Sequence, residues 1–193
     1  MLFELRTYDL KPAKAPVYLD NFRRNGVGLV TVSLPLGGYW MTESGRLNRI
    51  QHLWIYDDFA DRERCRANLS RDEAWMTGFI PGAFVDVVGQ QNRFLNLVEG
   101  SGALERVVAG RRTVHPNQPA DVPMFADTLH ALAIHRDKPA VSERIIALFE
   151  VLSGTDAGQF ITLSAGPADT LLAGANGAGD HEILRPLSLS PLR

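Results

Sequence analysis

Hydrophobic and polar residues alternate with period two from Leu2 to Leu10. Phe3 and Leu5 fall on one side and Glu4, Arg6 and Tyr8 on the other, the pattern of a half-buried first strand. Pro12 suits the first turn of a helix, where its missing N–H does no harm, and Ala15, Tyr18, Leu19 and Phe22 form that helix's apolar stripe. Gly26 or Gly28 is expected to end it. Leu36 to Glu43 reads as a second strand, Ser44-Gly45-Arg46 as a turn, and the stretch to Tyr56 as a third strand closing a hairpin. Within this third strand Ile50, His52, Trp54 and Tyr56 point one way and Gln51, Leu53 and Ile55 the other. Asp57-Asp58 opens a charged helix with a thin apolar side of Phe59, Ala60, Ala67 and Leu69. On it, Arg62 and Arg66 either face solvent or reach in to clamp an anion or a carboxylate. Trp75, Phe79 and Ile80 precede a break at Pro81-Gly82, and Asn92 to Val98 reads as a fourth strand.

The polar segments Glu99 to Gly102 and Asn117 to Pro123 bracket a linker. Beyond it the chain resembles its own beginning. Leu129 to Ala140 lies on Leu2 to Ala13 without a gap, so that Leu132 matches Leu5, His135 matches Tyr8, and Lys138-Pro139-Ala140 matches Lys11-Pro12-Ala13. A helix with Val141, Ile145, Leu148 and Leu152 on one stripe is expected next, stopped by Gly154. Strands are expected at Gln159 to Ala165 and at His181 to Leu189, with the glycine-rich Gly174 to Gly179 as a loop. The expected organisation is one complete repeat over residues 1–98, a linker or excursion over 99–124, and a shortened second repeat over 125–193. Nothing in the second repeat copies the Asn48 to Trp54 stretch, which puts any chemistry in the first.

Composition narrows the function classes. At 193 residues and 45% hydrophobic content, the chain can bury a real core as one large domain or two small ones. A formal net charge of -2 provides no basic field for a nucleic-acid backbone. The single cysteine, Cys65, allows no internal disulfide and reads as a plain buried thiol. No basic leader and no apolar run of about 18 residues appear, so the expectation is a cytoplasmic protein with no membrane segment.

Glu4-Leu5-Arg6-Thr7-Tyr8, Lys11-Pro12, Gly38-Tyr39-Trp40, Gly45-Arg46-Leu47-Asn48 and His52-Leu53-Trp54-Ile55-Tyr56, followed by Arg62, Arg66 and Trp75, resemble the NIPSNAP family. The resemblance covers the first 98 or so residues. It implies an α+β fold of the dimeric α+β barrel type, built from ferredoxin-like repeats whose antiparallel sheets pack face to face. Closure by the chain's own second repeat is the preferred expectation, with homodimerisation beyond it. In that frame Leu53, Ile55, Phe3 and Leu5 are expected against the helices, while His52, Trp54, Tyr56, Arg6 and Tyr8 are expected inside the barrel.

Two functions are compatible with that face. One is a cofactor-independent small-molecule enzyme, monooxygenase- or isomerase-like. In it His52 is the general acid/base and Arg6 an anion clamp, and Tyr8, Trp40, Asn48, Trp54, Tyr56 and Arg62 contact the substrate. The other is a non-catalytic binding or interaction module in which the same aromatics only form an interface. Whether the chain is an enzyme stays open at this stage. No metal site is expected, because His52, His115, His130, His135 and His181 lack ligand spacing. Haem remains the one cofactor to be tested.

Overall fold

β1 (Leu2–Leu10) pairs antiparallel with β3 (Arg49–Tyr56) on one side and β4 (Val87–Gly100) on the other, and β2 (Leu36–Thr42) extends the sheet beyond β3. The computed structural model describes the chain except residues 141–142 and 175–177. β5 (His130–His135), β6 (Ile145–Gly154), β7 (Phe160–Ala165) and β8 (Asp180–Pro186) form the second sheet. The first sheet runs β4-β1-β3-β2 and the second β8-β5-β7-β6, the same order of first, second, third and fourth strand in each half. β2 pairs with β8 and β4 with β6, so the barrel closes within one chain and leaves no free strand edge among the described residues.

Three local expectations are corrected. The first helix does not stop at Gly26. It runs as α1 (Ala15–Asn21), a π-helical turn (Phe22–Gly26) and α2 (Val27–Ser33). Gly26 instead serves close packing, since a Cβ there would sit 2.6 Å from the Phe79 ring. The helix expected around Ile145, Leu148 and Leu152 is strand β6, apart from Val141, which lies outside the described residues. Its run Ile145 to Val151 is buried on both faces, a pattern that periodicity alone does not separate from a buried helix.

The expected linker carries α5 (Gly102–Gly110), capped by the Ser101 hydroxyl on Leu104 N–H, and it is tied down. Arg111 and Arg112 reach Asp57 and Asp61 at the start of α3 (Phe59–Leu69). The buried Arg23 donates to the carbonyls of Pro119, Ala120 and Val122. A second π-helical turn (Ala74–Phe79) leads into α4 (Ile80–Ala83), and α6 (Ala168–Ala173) lies before β8. No helix among the described residues is long and apolar enough to cross a membrane.

The two faces of the first sheet are the reverse of those expected. Phe3, Leu5, Leu53 and Ile55 fill the barrel together with Trp40, Leu95, Leu132, Phe149, Leu163 and Leu184. Tyr8, Tyr39, Trp54 and Tyr56 pack against the helices with Tyr18, Phe22, Trp75 and Phe79. The physical reason is width. An eight-stranded barrel is only wide enough for side chains to meet. Here they leave a void of about 10 Å³, at most one water. A polar ring tip there needs a partner close at hand, as the Trp40 indole has in His130, whereas the aromatic undersides of the helices accept the wider row of rings.

Candidate functional site

The β1–β3 register sets His52 directly opposite Arg6 and Trp54 opposite Glu4, while β2 brings Tyr39 opposite His52 and β4 brings Asn92 opposite Arg6. The result is one cross-strand row, Asn92–Arg6–His52–Tyr39, with a second row through Glu4 and Trp54 beside it. The whole patch lies under the helix layer.

His52 is 3% exposed. Its ring stacks on Tyr39 at a centroid distance of 4.9 Å and 11°, and Tyr8 meets it edge-on at 4.7 Å. The Trp54 indole N–H donates to His52 Nδ1 at 2.6 Å, which assigns the imidazole proton to Nε2. That Nε2 has no hydrogen-bond partner among the described residues. Burial first, then the charges of Arg6 and Arg66, push the imidazole well below its ordinary range and keep it neutral. In this state His52 offers a hydrogen bond. To take a proton at Nε2 it would have to break with Trp54.

Glu4 is fully buried and anchors the charged part. Its Oε1 accepts from Arg62 Nη2 at 2.9 Å, Asn92 Nδ2 at 3.1 Å and Arg6 Nη1 at 3.4 Å. Its Oε2 accepts from Arg66 Nη2 at 3.1 Å and Arg62 Nε at 3.2 Å. Burial pushes the carboxyl up. Bonds from Arg62 and Asn92 and the charges of Arg66 and Arg62 outweigh it and hold the group at about 2. Arg62 also reaches Glu63 at 2.7 Å. With arginines 6, 62 and 66 against glutamates 4 and 63, the cluster keeps a surplus positive charge.

Unsatisfied buried polar groups are rare in folded proteins. Four of them lie on this face among the described residues: His52 Nε2, Tyr56 OH, Arg6 Nε and Arg66 Nε. Burial, the first cause, holds the Tyr56 phenol protonated by raising it above its ordinary range. The face therefore presents hydrogen-bond donors under positive charge, suited to an acceptor oxygen or an anion. Of the helical segments above it, the α1–α2 segment and the one leading into α4 each contain a π-helical turn, a break that recurs at functional sites, and α3 does not.

Of the expected site residues, Arg6, Tyr8, Trp54 and Tyr56 share the face of His52, and Arg62 joins it through Glu4. Trp40 does not. It lies inside the barrel, fully buried, with its indole N–H on His130 Nδ1 at 2.9 Å. A β-bulge between Leu36 and Gly38 puts Tyr39, not Trp40, against His52. Asn48 sits in the hairpin turn with φ +56°, about 13 Å along the strand from His52. Tyr39 and Glu4 are not among the residues expected at the site. For Glu4 a signal exists in the sequence, a carboxylate in phase with Arg6 and Tyr8 on a half-buried strand.

Among the described residues no group of three or more His, Cys, Asp or Glu side chains is placed to hold a metal. The residues present do not fit haem in this arrangement, because His52 Nδ1 is taken by Trp54 and its Nε2 carries the proton.

The family model for NIPSNAP matches residues 3–101. Mouse NipSnap homolog 3B is 46% identical over 87 residues, 44% of this chain and 35% of that protein. Human NipSnap homolog 3A is 41% identical over 81 residues, 42% of this chain and 32% of that protein. The match thus spans about a third of the length of these curated relatives. The crystal structure of protein Atu4242 from Agrobacterium tumefaciens, 31% identical, superposes with a TM-score of 0.51 over 53% of this chain and 98% of its own. A crystal structure of an anthrone oxidase-like protein covers 98% of this chain and 92% of its own with a TM-score of 0.59, at 8% identity, a likeness of fold alone. The family model covers just over half of the chain, and the chain belongs to the NIPSNAP family.

Proposed function

We propose that the protein is a cofactor-independent enzyme acting on a small planar molecule held between the β1–β3 face and the helix layer. Arg6 clamps the anionic group of the substrate. The Nε2–H of His52 holds the oxygen on which charge develops, in the manner of an oxyanion site, and the Tyr56 hydroxyl lies further along the same strand face. Reactions through an enolate or phenolate, isomerase-like or, with molecular oxygen as co-substrate, monooxygenase-like, are the class this serves. The observation that supports it is the set of four unpaired buried donors on the helix side of the first sheet among the described residues. An anthrone oxidase-like fold neighbour supports the class only by architecture. The expected general acid/base role of His52 gives way in this reading to donation, because Trp54 occupies Nδ1.

A second reading, a non-catalytic interaction module, has its own support in the tight stacking of Tyr39 on His52. A binding panel of planar phenols and aromatic carboxylates separates the two. Saturable binding that Arg6→Met weakens tenfold or more, together with turnover of the bound compound, supports the enzyme, and the same binding without turnover supports a non-catalytic binding module. Binding of no panel member, or equal binding by wild type and variant, supports the module. Homodimerisation belongs to the same proposal, with Val17 and Val32 exposed on α1 and α2 as the apolar contribution.

A further inference from the structure

A separate cavity of about 350 Å³ opens at the barrel end covered by α5. Its volume falls in the range of small-ligand pockets. Trp40 and His130, not His52, stand behind it. The Trp40 indole donates to His130 Nδ1 at 2.9 Å, so the proton lies on Nε2, the polar edge of a ring that lines the cavity. His130 is 1% exposed, and no protein group pairs with its Nε2 among the described residues. Val107, Ile146 and Leu192 supply an apolar wall. Arg106 and Arg193 stand exposed at the mouth, and Arg193 donates to the Ser190 carbonyl at 3.0 Å. His115 lines the cavity together with Arg193, and burial and then the Arg193 charge push its imidazole down. None of the described lining side chains is a carboxylate.

A buried neutral donor behind an apolar wall, with cations at the entrance, selects an amphipathic anion. We propose that this cavity binds a small carboxylate with an apolar body. The body lies on Val107, Ile146 and Leu192, and the carboxylate accepts from His130 Nε2–H in the field of Arg106 and Arg193. The site is independent of the Arg6–His52 face, which lies on the other side of the first sheet.

Calorimetric titration of the full chain with octanoate tests it, with octanol as the uncharged control. Saturable binding of octanoate is expected, with octanol at least tenfold weaker. His130→Phe is expected to lower affinity at least tenfold. Because that change also strips Trp40 of its acceptor, the exposed Arg106→Gln decides independently, with an expected loss of threefold or more that shrinks at high salt. Arg6→Met leaves this binding unchanged. Absence of octanoate binding, octanol binding as tightly as octanoate, an unaffected Arg106→Gln protein, or loss of octanoate binding in Arg6→Met would each overturn the proposal.

Discussion

The indole N–H of Trp54 donates to Nδ1 of His52 at 2.6 Å, two residues away on the same strand face. That bond fixes the tautomer, aims Nε2–H at the helix layer, and turns a residue expected to shuttle protons into a donor. Trp54→Phe leaves a buried ring nitrogen without its donor, and a stability loss of about 1–3 kcal/mol in denaturant unfolding is expected. In long-range 15N NMR the variant should show His52 leaving the pure Nε2–H tautomer. An unchanged tautomer would show that the bond does not set it.

Glu4 is the only carboxylate bonded to Arg6 and Arg66 among the described residues, so removing its charge leaves half-buried cations uncompensated around a fully buried side chain. Glu4→Gln is expected to cost about 3–5 kcal/mol. Glu63→Gln, at an exposed partner of Arg62, should stay within about 0.5 kcal/mol. Equal effects in urea unfolding would remove Glu4 from the centre of the network.

Opposite kinds of group set two pH windows. His52 is neutral when folded, with a proton affinity depressed below 6.5, and burial lowers His130 to about 4. The unfolded chain then binds more protons, so their contribution is complete above about pH 6.5 and is lost as pH falls. Glu4, lowered from 4.5 to about 2, contributes fully above 4.5 and loses its share between 4.5 and 2, on the order of 3 kcal/mol. Stability measured against pH should therefore fall in two stages, and Glu4→Gln should flatten the lower one alone. A lower stage of equal size in that variant contradicts the assignment.

Gly38 makes room for Trp40. A Cβ at this position would sit 2.0 Å from Trp40 Cη2, and that ring is held by His130. Gly38→Ala is expected to lose about 1–3 kcal/mol through overpacking. Gly78→Ala, where nothing lies within 4 Å of the new methyl, should be neutral or slightly stabilising. Thermal unfolding of the pair checks it.

Period-two alternation makes β1 and β3 readable, and the family motif makes the α+β barrel readable. Orientation is not, because alternation separates two faces without saying which one meets helices. Aliphatic Leu53 and Ile55 suit a helix layer as well as a narrow barrel, and only the aromatic undersides contributed by Phe22, Trp75 and Phe79 settle the choice. Trp40 falls with the wrong group in the sequence because one bulged residue moves a strand's side chains to the other face. β6 reads as a helix because strands buried on both sides lose their alternation. Arg6, Tyr8, Trp54 and Tyr56 are legible as companions of His52, since cross-strand register and in-phase spacing put them together.

The most direct measurement is the His52 Nε2–H resonance followed by 15N NMR while a planar aromatic carboxylate such as salicylate is added. A saturable shift of that resonance, accompanied by the Arg6 side-chain signals and reduced in Arg6→Met, is predicted. A His52 resonance unmoved at every concentration, with shifts confined to His130 and the barrel end, would contradict a ligand site beneath the helices.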